Sequence, residues 1–495
     1  MKILRGLSVL TVLRLEKLQK SSIFILLIVV FVLLNLLVSP FSLRLDLSRG
    51  KAYTLSSSSK KIIKDIDDIV TLKFFSSSTL PTRLAPLKTD IRDLLDEYQK
   101  QGSSKIMVKV LDPKKDETSL KEAQTLGLPE LQFSQIEQDK YAVSATYFGI
   151  SVQYGDKREL IPQATNIQSL EYDITSVIYK ITRKDPLVIA MMGDSSSPDP
   201  EADQLRAISE ILSQQFEIRS IASEDEKIDA TTIKTLLVFD KNSPYSSDEA
   251  SLIKNYLSAK GKAVFVLDGV SVSEGLTAQD AQHNLFSLLK EYGVTLEKNF
   301  VLSESSEVAS FSTGEMAFFT PYPFWVKTTA FDNSSSLFSG LSSLSFPWVS
   351  SITTKKVSGV TTKILGKSEK NSWKQKEQFM LAPQQIPPPQ EKDMKQFDLI
   401  VEAEKKDAGQ FILIPSSRFV KDQFLTRGQD NVGFILNVVN TYASGGALSG
   451  IRSRAVSIAP LKNIPENTKD IVKYGNIFFP LLFGIFGAMR LLKRR

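Results

Sequence analysis

The sequence predicts an α/β fold: a large doubly wound region and a smaller N-terminal α/β unit, set between two transmembrane helices. Three observations carry that expectation. Apolar strand-like runs alternate with amphipathic helical stretches through the middle of the 495-residue chain. An earlier strand–helix–strand order reads as a smaller unit of its own. Uncharged segments near both ends are long enough to cross a bilayer.

The first such segment, Ser21 to Leu43, reads "SSIFILLIVVFVLLNLLVSPFSL". At ~1.5 Å per residue it covers a hydrocarbon core of ~30 Å. A cleavable signal peptide is the competing reading. The length of the run, and the lack of a small-x-small site before Pro40, favour an uncleaved anchor. The second, Tyr474 to Met489, reads "YGNIFFPLLFGIFGAM", and its apolar flanks extend the expected span to 471–492. Pro480, Gly484 and Gly487 are tolerated in a membrane helix, although a buried helix of a soluble core is the alternative.

The charges sort with these spans. The formal net charge is +6, from 61 basic and 55 acidic residues. Lys2, Arg5, Arg14, Lys17 and Lys20 precede the first span beside Glu16, and Arg490, Lys493, Arg494 and Arg495 close the chain. Without those nine basic residues and one acid, 52 basic and 54 acidic residues remain. The basicity therefore belongs to the ends, and a basic nucleic-acid-binding surface has little support. The positive-inside rule places segments 1–20 and 493–495 in the cytoplasm, and everything between the spans outside it.

The smaller unit is expected over 44–184. Ser56 in "YTLSSSSKKIIKDI" has the place of an N-cap, before the apolar stripe Ile62, Ile63 and Ile66. "IVTLKFF" is a strand, Leu84 to Tyr98 carries helical spacing, and "KIMVKVLDP" is a second strand, which predicts a parallel pair. A hairpin turning at Gly155-Asp156 and a helix over 167–182 complete it. The large region is expected over 185–470. "PLVIAMMGD", "IKTLLVFD", "KAVFVLDG" and "QFILIPSSRFV" are buried strands. Helices are expected near 203–215, in "SSDEASLIKNYLSAKG", over 281–293 and over 431–444. The Pro-rich stretch 382–393 reads as an exposed loop between strands at 378–381 and in "FDLIVEAE".

Chemistry is sparse. There is no cysteine, hence no disulfide, thiolate metal site or cysteine nucleophile. The single histidine, His283, falls in the expected helix 281–293 and cannot make a standard zinc site. No phosphate-binding G-x-x-x-x-G-K-[ST] and no G-x-S-x-G elbow occur. No catalytic residue, metal or cofactor is assigned. Because doubly wound sheets bind ligands at the carboxyl ends of their strands, the candidate pocket comprises Gly193, Asp194 and Ser195 with Asp240 and Asp268. Acids and glycines in such places also cap helices and make turns.

The stretch "DLSRGKAYTLSSSSKKIIKDIDDIVTLKFF" resembles the start of the gliding-motility-type ABC transporter auxiliary component (GldG-like) family, with Tyr53, Thr54, Leu55 and Ser56 on its signature. "TLLVFDKNSPYSSDEASLIKNYLSAKGKAVFVLDG" looks like that family's Rossmann-like, amidotransferase-like core. "DNVGFILNVVNTYASGGALSGIRSRAVSIAPL" is similar to its ending, with Asn437, Arg452 and Arg454 on recurrent positions. The resemblance implies a non-catalytic, membrane-anchored subunit working beside an ABC permease and a separate P-loop ATPase, on an unknown cargo. A membrane-tethered envelope scaffold and a hydrolase on the same fold are the alternatives. Where the family often has a Gly-His-Gly-Glu-like loop, this chain has Gly193-Asp194-Ser195-Ser196, and it lacks the cysteine that amidotransferase chemistry needs.

Overall fold

The computed structural model describes residues 54–451 apart from 79, 81–83, 138–139, 194–204, 223–224, 226, 242, 274, 314–315, 333–334, 426–428 and 449–450, together with 26, 29–31, 33, 468–470 and 472–479. It is a mixed α/β structure with several sheets. Two units divide the chain, Met1–Thr54 and Leu55–Arg495. Of the first, Leu26, Val29, Val30, Phe31 and Leu33 are helical and exposed. Among the described residues no helix is long and apolar enough to cross a membrane. Most residues of the expected spans 21–43 and 471–492, and all of segments 1–20 and 493–495, lie outside the described residues.

The second unit opens with helix α1 (Ser57–Lys64). Ser56 caps it, its hydroxyl accepting from the Ser59 amide. A four-stranded sheet follows, built from β1 (Val70–Ser76), β2 (Ile106–Leu111), β3 (Phe148–Tyr154) and β4 (Lys157–Ile161) in the order β2-β1-β3-β4. β1 and β2 are parallel, joined through helix α2 (Ala85–Gly102), and β3 and β4 form the hairpin that turns at Gly155. Helix α3 (Ile167–Thr182) lies over this sheet, sharing one apolar core with α1 and α2. The serine run has its explanation here. Glu171 on α3 accepts from the Ser56 amide (2.6 Å) and the Ser59 hydroxyl (2.7 Å), and Thr175 meets both Ser59 (2.9 Å) and Tyr98 (2.5 Å). Ser56, Ser59, Tyr98 and Thr175 are buried and Glu171 half-buried, and because all are paired with one another, burial costs little and fixes the helix entry.

Among the described residues the large sheet has nine strands. In chain order they are β5 (Val188–Met192), β6 (Glu217–Ser220), β7 (Ile233–Phe239), β8 (Lys262–Val266), β9 (Val294–Leu296), β10 (Ile352–Thr354), β11 (Val360–Lys367), β12 (Asp398–Lys405) and β13 (Gln410–Ile414). A parallel block β6-β5-β7-β8-β13 continues into antiparallel β12, which pairs with β10 and β11, and β9 pairs with β10. Both faces are covered over the inner strands, which is why β5, β7, β8 and β13 are largely apolar, whereas the edge strand β6 (Glu217–Ser220) is polar and mostly exposed. Leu237 and Phe239 of β7 enter one core with helices α4 (Arg206–Ser213) and α7 (Gln429–Ser444). Leu236 and Val238 enter the other, with α5 (Ser247–Ser258) and the short α6 (Phe286–Glu291). Ser246 and Glu249 form a reciprocal capping box on α5. A third core, rich in aromatics, joins Ala309, Tyr322 and Phe324 of the antiparallel strands Ser306–Thr313 and Met316–Thr328 to Phe300, Trp348 and Trp373. The strand Leu344–Pro347 pairs with Met316–Thr328 and places Leu344 and Phe346 in the first core of the large sheet.

Two expectations are corrected. The helix expected over 281–293 is only Phe286–Glu291. Asn284 adopts φ 52°, a left-handed conformation that a helix interior excludes, so His283 sits in the preceding loop. The strand expected at 378–381 is instead Ser372–Gln375. Glu377, at φ 67°, turns the chain out of the sheet before the expected segment begins.

Candidate functional site

Parallel pairing brings the carboxyl ends of β5, β7, β8 and β13 to one edge, and the next residues of each strand meet there. β7 delivers Asp240, β8 delivers Asp268, β5 delivers Gly193 and β13 delivers Ser416, Ser417 and Arg418. Chain order reverses between β5 and β7, the position at which such sheets open a crevice.

Asp268 is 2% exposed and Asp240 4%. The Asp268 amide donates to Asp240 Oδ2 at 3.1 Å. The Asp268 carboxylate accepts from the Ser417 amide at 2.6 Å and from its hydroxyl at 2.7 Å. The Arg418 guanidinium lies over the Trp348 ring, 4.9 Å from its centre, and donates to the Val272 carbonyl. Burial, then the neighbouring Asp240 charge, raises the Asp268 pKa against the opposing pull of Arg418 and Ser417. Burial lowers the Arg418 pKa, while Asp268 and Asp240 work to raise it.

His283 belongs to the same cluster. Its Nδ1 accepts from the Leu285 amide at 3.1 Å, which leaves Nε2 as the donor to the Asp268 carbonyl at 2.9 Å. Burial lowers its pKa to about 4, so the ring is neutral near pH 7. It is a buried brace between a strand end and a helix start, with no face open to a substrate.

Gly193 is required at its position. It takes φ 99°, and a Cβ there would stand 1.8 Å from the Tyr245 hydroxyl and 2.2 Å from the Phe239 carbonyl oxygen. Tyr245 in turn donates to that carbonyl at 2.5 Å. The sequence-expected pocket residues Gly193, Asp240 and Asp268 thus come to one edge, and Asp194 and Ser195 lie outside the described residues. The polar atoms of Asp268 face protein donors at hydrogen-bonding distance, an arrangement that locks strand ends together. Among the described residues, no group of three or more His, Asp or Glu assembles as a metal site. A cavity of about 270 Å³ lies elsewhere, at the amino ends of β5 and β6, lined by Lys180, Arg183, Pro186, Leu187, Gln215, Phe216 and Glu217.

Sequence reasoning missed Ser417, Arg418 and Trp348. The signal for the first two was present, since "IPSSR" follows an apolar strand and therefore falls at the same edge as Asp240 and Asp268. Trp348 had none, because its neighbour is 70 positions away in the chain.

Residues 185–437 match the family model described as "ABC-type uncharacterized transport system", and residues 49–153 match the domain of unknown function DUF7088. An uncharacterized protein of Borreliella burgdorferi is 23% identical, covering 92% of this chain and 95% of its own. Among solved structures, the mmIFT52 N-terminal domain aligns at TM-score 0.36 and 15% identity, over 52% of this chain and 98% of that one. A putative ThuA-like protein from Bacteroides uniformis aligns at TM-score 0.31 and 14% identity, over 54% and 97%. Structural likenesses this loose carry no argument about activity.

Proposed function

Because this chain belongs to the family of ABC-type transport system auxiliary proteins, we propose that it is a non-catalytic, membrane-anchored auxiliary subunit of a gliding-motility-type system. It works beside a permease and a separate P-loop ATPase. The spans 21–43 and 471–492 anchor it with both termini in the cytoplasm, and the units 44–184 and 185–470 project outside, the latter a Rossmann-like, amidotransferase-like core. The family match over residues 185–437 carries this reading.

The carboxyl-edge geometry supports the non-catalytic part. Asp268 is engaged by Ser417, and the buried His283 by Asp268 and Leu285, so neither is poised to exchange a proton with a bound molecule. Gly193, Asp240 and Asp268 then serve as the frame of a ligand-facing edge and not as reacting groups.

Crosslinking the full chain in its native membrane, followed by gentle solubilisation and identification of copurifying chains, tests the assignment. Stoichiometric recovery of a multi-span permease and a P-loop ATPase is expected. Recovery of this chain alone, or with wall components only, overturns it in favour of an envelope scaffold.

A further inference from the structure

The two edges of the four-stranded sheet are built differently. β4, at one edge, presents exposed Lys157 and Arg158 and half-buried Glu159, which pairs with Lys180 at 2.7 Å. Charged side chains of this kind are how edge strands are kept from pairing with other chains. β2, at the opposite edge, carries only Lys109 as a guard within Ile106–Leu111. It has neither proline nor bulge, runs in unbroken register with β1 for six residues, and leaves Met107 42% and Val110 39% exposed. Among the described residues its outer side pairs with no other strand.

The strand is also complementary to itself. An antiparallel pair about a two-fold axis preserves the faces of a sheet, so opposed residues must share parity. With the axis at Val108, one face pairs Val108 with Val108 and Ile106 with Val110, a continuation of the apolar row that Ile106 and Val108 already make over the helices. The other face pairs Met107 with Lys109 and Lys105 with Leu111, and no like charges meet. Moving the axis by one residue either way sets Lys109 against Lys109 or against Lys105, which is unfavourable.

We propose that Ile106–Leu111 is a self-association edge: two copies of this chain pair antiparallel through it, with Val108 on the two-fold, and join their four-stranded sheets into one. The partner is a second copy of this chain. Main-chain hydrogen bonds supply the attachment, the row of β-branched side chains supplies the buried face, and avoidance of the lysine–lysine contacts sets the register.

The chain contains no cysteine, so single substitutions report contacts without background. Val108→Cys, Lys109→Cys and Lys157→Cys, each in the full chain in membranes, are oxidised and resolved under non-reducing conditions. Val108→Cys is expected to give several-fold more covalent dimer than either other variant. Met107→Glu, which sets a carboxylate against the partner's Lys109, is expected to raise the dimer fraction by native mass measurement, and Met107→Lys to lower it. Met107 is exposed, so neither variant strains the core. A monomer by native mass with no excess crosslinking at position 108 overturns the proposal. Dimer formed preferentially through position 157, or capture of a different polypeptide at position 108, overturns it equally, the last in favour of a donor strand from another subunit.

Discussion

Replacing Asp268 by asparagine and by alanine tests whether this buried carboxylate is held for its shape or for its charge. Alanine strands two donors, the Ser417 amide at 2.6 Å and its hydroxyl at 2.7 Å. Each buried donor left unmade costs ~1–3 kcal/mol, and the vacated volume adds to that, so Asp268→Ala is expected to cost about 3–5 kcal/mol. Asparagine keeps an acceptor for the Ser417 amide, and the hydroxyl turns to accept from the new side-chain amide. It also removes a charge from a place where burial and Asp240 outweigh Arg418 and Ser417. The expected cost of Asp268→Asn is therefore under about 1 kcal/mol. The sign with pH follows from the raised carboxyl. The folded state holds this proton more tightly than the unfolded one, so the stability contributed by Asp268 is complete below the ordinary carboxylate pKa and is lost as pH rises through the folded value. Asp268→Asn should lose that slope and gain on the parent chain as pH rises. Denaturant unfolding of the full chain in detergent measures both effects, followed by tryptophan emission, because Trp348 lies against Arg418. An asparagine variant as damaged as the alanine one would falsify the argument, since it would mean that the charge itself is needed.

Two further predictions follow from the same edge. His283 is the only histidine, so its ring protons can be assigned without ambiguity, and they should titrate near pH 4 instead of 6.5. For an imidazole with a depressed pKa, stability falls as pH drops from the ordinary value through the folded one; a titration midpoint near 6.5 in the folded chain refutes the buried-brace geometry. Gly193→Ala should cost more than ~2 kcal/mol through both its backbone conformation and its clashes. Adding Tyr245→Phe should not rescue it, because the Phe239 carbonyl oxygen would still stand 2.2 Å from the new Cβ. Rescue in thermal unfolding would show that the hydroxyl alone sets the requirement.

What the sequence made legible was local or periodic. The Ser56 cap, the parallel β1–α2–β2 unit, the Gly155 turn and the apolar strands of the large sheet all follow from spacing and capping chemistry within a few residues. The failures have long-range causes. His283 carries amphipathic neighbours, but its hydrogen bond to Asp268 holds it outside the helix and Asn284 in a left-handed turn. The strand Leu344–Pro347 has no expected counterpart and is buried within a Ser-rich stretch, where the Ser345 hydroxyl donates to the Glu307 carboxylate from a distant strand. At the candidate site the strand-end rule identified Asp240 and Asp268, while Ser417 and Arg418 depended on knowing that β13 lies beside β8.

The small sheet's core has a mechanical meaning. Leu55, at the start of the second unit, and Leu448 and Ile451, far along the chain, are buried in the same apolar cluster. A pull on the chain at those two places bears first on the core that α1, α2 and α3 share. Tyr172 on α3 bonds Gln215 at 3.1 Å and lies 3.0 Å from the Asn440 amide on α7, so the helix that leads into the large sheet is tied directly to the helix that leads out of it.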